Sequence, residues 1–91
     1  MIGIHVIVEG RVQGVGYRAF VVREAAARRL TGWVRNRSDG SVEALFCGAA
    51  DVVGDMVEAC RKGPRHAAVR SVTCTEQPTA EFTGFGVRET L

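Results

Sequence analysis

The chain has 91 residues, of which 46% are hydrophobic and 24% are charged, and its formal net charge is +2. This length predicts a single domain over residues 1–91 and excludes a two-domain cofactor enzyme. The apolar share and the balanced charge exclude a disordered tail. No apolar run approaches the roughly 20 residues that a membrane-spanning helix needs, and no basic segment precedes an apolar stretch near Met1, so we expect neither membrane association nor secretion.

The first third of the chain predicts a strand, a glycine-rich loop and a helix. Alternation predicts a strand whose apolar face carries Ile4, Val6 and Val8. Three glycines between Gly10 and Gly16 end this alternating pattern, and apolar residues then recur with helical spacing over Arg18–Leu30. The apolar stripe expected to face the core consists of Ala19, Val22, Ala26 and Leu30. We expect the polar face, including Arg28-Arg29, to be solvated.

The middle of the chain predicts a hairpin. Thr31–Arg35 has strand composition, and Asp39-Gly40 is a turn signal because glycine tolerates a positive φ. The alternation resumes over Ser41–Cys47. The residues that share its apolar face are Val42, Ala44 and Phe46.

The last third predicts a second helix and two strands. The helix begins near Asp51 and ends at Gly63-Pro64, because proline cannot continue a helix. Its apolar side carries Val53, Met56, Val57 and Cys60. A strand is expected over Val69–Glu76, with a bulge near Arg70-Ser71 where the alternation slips, and a weaker strand over Phe82–Arg88.

The element order is β-α-β-β-α-β with a short extra strand. It predicts the α+β class and a ferredoxin-like sandwich, in which an antiparallel sheet carries both helices on one face. Many unrelated functions use this fold, so it decides nothing about chemistry.

Three widely spaced cysteines, Cys47, Cys60 and Cys74, form no C-x-x-C pattern. Their spacing favours free and mostly buried thiols over a disulfide or a zinc site. Free thiols are typical of a reducing compartment, so we predict a cytoplasmic protein.

The glycine-rich loop predicts an anion site. Glycines let successive N–H groups point into one concavity at the positive end of a helix, and Arg18 in the first turn can chelate two phosphoryl oxygens. The spacing of Gly10 and Gly14 does not fit a Walker A motif. Gly14–Ala19 does fit G-x-G-x-x-A, but the acid that follows, Asp39, belongs to a hairpin turn, which excludes a dinucleotide fold. From the loop alone, a plain connection with a solvated Arg18 stays open.

Two motifs resemble those of the acylphosphatases. Val8–Arg18 is similar to the first motif of that family, and Gly32–Asn36 is similar to the second. The second motif is followed at the family's spacing by Gly40, Val42 and Gly48. Tyr17 departs from the pattern, because the family more often has phenylalanine there. The added hydroxyl needs a hydrogen-bond partner or water if it is buried.

The resemblance implies an enzyme that hydrolyses acyl phosphates to a carboxylate and inorganic phosphate. It also implies roles for individual residues. The side chain of Arg18 would hold the phosphoryl group, and Asn36 would position the attacking water. The backbone N–H groups that would assist belong to Gln13, Gly14, Val15, Gly16, Tyr17 and Arg18.

This chemistry needs few other groups. The leaving carboxylate has a conjugate acid with a pKa of about 4.3, taking glutamate as the model, so it departs without a general acid. We interpret His5 and His66 as ordinary surface or edge residues. The scattered carboxylates predict no metal site, and we expect no cofactor.

Several alternatives compete with this hypothesis. The loop could serve a non-catalytic module that binds acyl or carbamoyl phosphate, and Asn36 could merely serve the turn that follows it. RNA binding would need exposed aromatic residues on the sheet, whereas alternation assigns Phe46 and Phe85 to the core.

We expect the protein to be a monomer that binds no nucleic acid. Its expected partners are a small acyl phosphate as substrate, and inorganic phosphate or a similar anion as product or inhibitor. The sequence indicates no pocket that would select a particular acyl group.

Overall fold

Five strands form one sheet in the computed structural model, which describes residues 1–79 and 81–91. The elements in chain order are β1 (Ile2–Arg11), α1 (Tyr17–Ala27), β2 (Thr31–Asn36), β3 (Val42–Gly48), α2 (Ala50–Lys62), β4 (Ala68–Gln77) and β5 (Phe85–Val87). Across the sheet the order is β4-β1-β3-β2-β5. The predicted element order and ferredoxin-like fold are confirmed. Neither of the helices described is long and apolar enough to cross a membrane.

The core lies between the sheet and the two helices. The expected apolar side of α2 is confirmed, because its buried residues are Val53, Met56, Val57 and Cys60. Val6 and Val8 of β1 enter the same cluster, as do the three residues predicted for β3. Phe85 packs against this cluster and stacks on Phe46 with ring centroids 5.5 Å apart. The assignment of both rings to the core is therefore confirmed.

The predicted apolar stripe of the first helix is wrong in phase. The buried residues of α1 are Tyr17, Val21 and Ala25, whereas Ala19 and Ala26 are exposed and Val22 is half-buried. Apolar residues follow helical spacing on two faces of this alanine-rich segment, so periodicity alone does not fix which face is buried. The large ring of Tyr17, at the first position of α1, determines which face of the helix is buried. The helix also ends at Ala27, and Leu30 is buried beyond it.

The outer strands differ in their pairing. On β4, Ser71 pairs with Glu9 and Val69 pairs with Gly10, which leaves Arg70 as an extra residue and confirms the predicted bulge. β5 is shorter than expected and runs parallel to β2, whereas the other three strand pairs are antiparallel. This parallel edge carries the end of the chain toward the last residues of β2.

The sheet face away from the helices holds a polar cluster. Glu43 is buried near the start of β3, where its carboxylate lies 2.6 Å from His5 Nε2 and accepts a 2.6 Å hydrogen bond from Arg35 Nε. Burial raises the pKa of this carboxyl, but the hydrogen bonds from His5 and Arg35 outweigh burial and leave the pKa below its ordinary value. His5 does not lie at an edge of the sheet, because β1 is an interior strand, and its side chain is 19% exposed beside Glu43 on the outer face.

Arg28 is also more than a solvated helix end. Its Nε donates to Asp55 in α2 at 2.8 Å, and its Nη1 donates to Glu24 one turn earlier in α1 at 3.0 Å. The side chain therefore links the two helices across their outer surface.

Candidate active site

The loop between β1 and α1 turns through two left-handed glycines. Gly14 has φ 72° and Gly16 has φ 79°, a region that side chains with a Cβ rarely adopt. Gly16 is also the N-cap of α1, and no side chain caps this helix end. The loop therefore presents backbone N–H groups where other helices place a serine or aspartate.

These N–H groups have no acceptor within the described part of the chain. No backbone carbonyl or side chain of residues 1–79 or 81–91 accepts a hydrogen bond from the N–H groups of residues 13–18. They lie at the positive end of the α1 dipole, where partial charge and open donors together favour an anion. The loop has the properties of a phosphate site.

Arg18 and Asn36 line one cavity with this loop. The cavity has a volume of about 410 Å³ and is bounded by the loop, the first turn of α1, the end of β2 and Val87 of β5. Arg18 lies in the first turn of α1, and its guanidinium forms no ion pair with any residue that the structure describes. The two side chains singled out by the motifs therefore share a site.

Asn36 is the last residue of β2, and its side chain does not serve the following turn. Its Oδ1 atom is buried and accepts no hydrogen bond from the described residues. The turn is held instead by Asp39, whose Oδ1 accepts from the Ser41 N–H at 2.9 Å and from the Ser41 hydroxyl at 2.6 Å. The amide of Asn36 is therefore free to orient a small polar molecule in the cavity.

The side chain of Gln13 ties the loop to the β2–β3 hairpin. Its Nε2 atom donates to the carbonyl oxygens of Arg37 and Ser41, both at 2.8 Å. These bonds fix the loop relative to the strand end that carries Asn36. The motifs had drawn attention only to the Gln13 backbone, because its partners lie 24 and 28 residues away in the chain.

The hydroxyl of Tyr17 has the partner that its burial requires. It donates at 2.7 Å to the carbonyl oxygen of Cys60 in the last turn of α2. In a continuing helix that carbonyl would accept from the residue four positions later, but Pro64 has no N–H. Tyr17 therefore caps α2 and joins the loop end of α1 to it. Burial raises the pKa of the Tyr17 phenol well above its ordinary value.

We expect Tyr17→Phe to destabilise the fold by about 1–2 kcal/mol, because a buried carbonyl loses its donor. The ring and its packing remain, so activity should change little. Urea unfolding at pH 7 measures the loss. The chain contains one tyrosine, and its raised pKa means that this contribution is fully present below pH 10 and declines as the unfolded phenol ionises above it. Equal stability of the two proteins at pH 7 would contradict the capping role.

Other chemically capable side chains lie outside this cavity. Neither His5 nor His66 lines it, and Cys60 is buried with its thiol pKa raised to about 12 by that burial. Cys47 is buried as well, and Cys74 is exposed. In residues 1–79 and 81–91, no three His, Cys, Asp or Glu side chains converge as metal ligands would. The cavity itself offers the Arg18 guanidinium, a set of N–H groups and the Asn36 amide, which suit anion binding and water orientation.

Comparison with known proteins agrees with the motifs. The family model described as Acylphosphatase matches residues 4–87. The acylphosphatase of Bradyrhizobium diazoefficiens is 61% identical over 70 residues, which cover 77% of this chain and 71% of that one. The acylphosphatase of Azorhizobium caulinodans is 49% identical over 90 residues, covering 97% and 96%.

A solved structure agrees as well. The crystal structure of acylphosphatase from Bacillus subtilis superimposes with a TM-score of 0.93 at 42% identity, covering 97% of this chain and 99% of that chain. The resemblance therefore extends beyond the two motifs to the whole architecture. From its motifs, its fold and these matches, the chain belongs to the acylphosphatase family and is an acylphosphatase enzyme.

Proposed function

We propose that the chain hydrolyses the carboxyl–phosphate bond of acyl phosphates with Arg18 and the loop N–H groups as the phosphate site. The loop donors of residues 13–18 have no other acceptor among the described residues, and the Arg18 guanidinium lies beside them without an ion pair. Phosphoryl transfer depends on positioning and on charge stabilisation more than on covalent chemistry. A cluster of fixed donors at a helix N-terminus supplies both to the three phosphoryl oxygens.

Asn36 positions the attacking water in this proposal. The observation that carries the assignment is the buried and unpaired Asn36 Oδ1 in the same cavity as Arg18. Oδ1 accepts a hydrogen bond from the water and thereby directs an oxygen lone pair at phosphorus. The new P–O bond forms as the bond between phosphorus and the acyl oxygen breaks, the carboxylate departs with that electron pair, and both protons of the water stay with the product phosphate.

The chemistry of the leaving group explains why the cavity needs no general acid to protonate it. A carboxylate whose conjugate acid has a pKa of about 4.3 leaves as an anion at neutral pH. Arg18, the only charged side chain among the described cavity residues, stabilises charge and transfers no proton. A phosphate monoester would expel an alkoxide, which requires protonation, so we propose that acyl phosphates are cleaved and alkyl phosphates are not.

Benzoyl phosphate tests the proposal, because its hydrolysis changes ultraviolet absorbance. We expect turnover that is unchanged by added chelator, since no step uses a metal ion. Inorganic phosphate should inhibit competitively as the product. Loss of activity in chelator would mean that a metal ion takes part.

The same assay separates the proposed enzyme from a binding module. A module for acyl or carbamoyl phosphate would bind phosphate without hydrolysing benzoyl phosphate. The structure favours turnover, because a binding module gains nothing from a buried Asn36 Oδ1 without a partner. We further propose that the protein is cytoplasmic, because its three cysteines are free thiols, which are typical of a reducing compartment, and that it is a monomer. Light scattering tests the oligomeric state.

A further inference from the structure

We propose that Val87 forms an apolar wall for the acyl group, so that the site prefers uncharged, apolar acyl phosphates. This inference rests on the proposed function and adds the recognition of the leaving group to it. Val87 is 56% exposed, and it is one of three large hydrophobic residues exposed in the described chain. The other two, Met1 and Leu91, do not line the cavity that holds Arg18.

The register of β5 places Val87 on the side of the sheet that carries Asn36. Val87 pairs with Val34 in the parallel ladder, and Asn36 lies two residues beyond Val34. Residues two apart on a strand share a face. The cavity is therefore lined by the phosphate loop, by Asn36 at the end of β2, and by the half-exposed side chain of Val87 on the neighbouring strand.

The position of Val87 is fixed by anchored residues on both sides of it in the chain. Phe85 stacks on Phe46 in the core, and the Arg88 N–H donates to the Val34 carbonyl at 2.9 Å. Arg88 directs its guanidinium to the other sheet face, 4.6 Å from the ring centre of Trp33. Val87 is thus held between two anchored residues, and the nearby cation is turned away from the cavity.

Apart from Arg18, the described residues of the cavity offer no charged partner for a second charged group on the substrate. In the described residues no Asp, Glu or Lys lines the cavity, and its one cation is Arg18. The Nε2 group of Gln13 already donates to two backbone carbonyls. An acyl group that carries its own ammonium or carboxylate would lose water in this cavity without a partner, which weakens binding.

The volume of the cavity leaves room for an acyl substituent. At about 410 Å³ it lies within the range of roughly 300–1,000 Å³ typical of small-molecule sites. The phosphoryl group occupies the loop end, and the acyl carbon extends away from phosphorus toward the open side. An apolar residue there stabilises an aromatic or aliphatic group by covering it from water.

The test compares kcat/KM for benzoyl phosphate and acetyl phosphate in Val87→Ser. We expect about a tenfold loss for benzoyl phosphate, whose ring loses the methyl groups that cover it, and less than about a twofold loss for acetyl phosphate. The inhibition constant of inorganic phosphate should stay within about twofold of the wild-type value, because phosphate binds at the loop end of the cavity. Leu91→Ser is the matched control, since Leu91 is 58% exposed on the same tail and lies outside the cavity.

A second variant reverses the preference. Val87→Lys places a cation beside the acyl group, so the ratio of kcat/KM for 4-carboxybenzoyl phosphate to that for benzoyl phosphate should rise at least about fivefold. Equal losses for benzoyl and acetyl phosphate in Val87→Ser, or an unchanged ratio in Val87→Lys, would overturn the acyl-wall assignment while leaving the proposed function intact. If the wild-type protein hydrolyses neither substrate, the proposed function itself fails and this inference fails with it.

Discussion

Arg18→Ala is expected to lower kcat/KM for benzoyl phosphate by about 10³-fold or more, and to abolish measurable inhibition by inorganic phosphate. Arg18 is the only charged side chain among the described residues of the cavity. Without it the loop N–H groups face a dianion with no full positive charge nearby. Steady-state kinetics with increasing phosphate measures both effects.

The same substitution should not destabilise the protein. Arg18 is a cation in the first turn of α1, where the helix dipole is already positive, and its guanidinium forms no ion pair with a described residue. Removing it should leave the free energy of unfolding unchanged or raise it by about 0.3–1 kcal/mol. A gain in stability with a loss of activity distinguishes a binding residue from a structural one.

Two further variants sharpen this experiment. Arg18→Lys keeps the charge but not the planar pair of donors, so it should recover only part of the activity. Arg23→Ala removes the same charge about one and a half turns further along α1, where Arg23 is exposed beside Phe20 and outside the cavity. It should behave as the wild type. Near-normal activity of Arg18→Ala would remove Arg18 from the mechanism.

The parts of the fold that local chemistry determines were predictable. The apolar side of α2 follows one helical stripe that ends at Gly63-Pro64, and the helix has those bounds within a residue or two. The Asp39-Gly40 turn is likewise local, because Asp39 holds Ser41 two residues away. In both cases the deciding contacts lie within a few residues of each other.

The phase of α1 and the surroundings of His5 depend on distant residues. The buried face of α1 is fixed by Tyr17, whose hydroxyl bonds to Cys60, 43 positions away. His5 meets Glu43 because β3, and not β2, pairs with β1. Alternation predicts which residues share a face of a strand, but it carries no information on which strands are neighbours.

Some residues of the candidate site could likewise be predicted from the sequence, and others could not. The glycine loop and Arg18 at the start of the following helix were predicted from composition and order, whereas the role of Asn36 came from a family resemblance. The hydrogen bonds of the Gln13 side chain and the place of Val87 in the cavity were not predicted, because each depends on where another strand ends. An amide in a loop and a valine in a short strand give no local signal of either role.

Asn36→Ala is expected to lower kcat for benzoyl phosphate by about 10²–10³-fold while the inhibition constant of inorganic phosphate changes less than about twofold. In the proposed mechanism the substitution removes the atom that orients the water and leaves the phosphate site intact. It also removes a buried oxygen with no partner in the described chain, so the free energy of unfolding should not fall. Kinetics and urea unfolding of the same preparation test both statements.

Asp39→Ala is the matched control for a role in the turn. It removes the two hydrogen bonds that hold Ser41, so it should lower stability and leave most of kcat. If Asn36 served the turn, the two variants would lose stability together. If Asn36→Ala instead weakened phosphate binding and kept kcat, Asn36 would belong to the phosphate site and the water would need another partner. A selective loss of kcat, with phosphate still bound and the turn intact, is the result that a water-positioning amide requires.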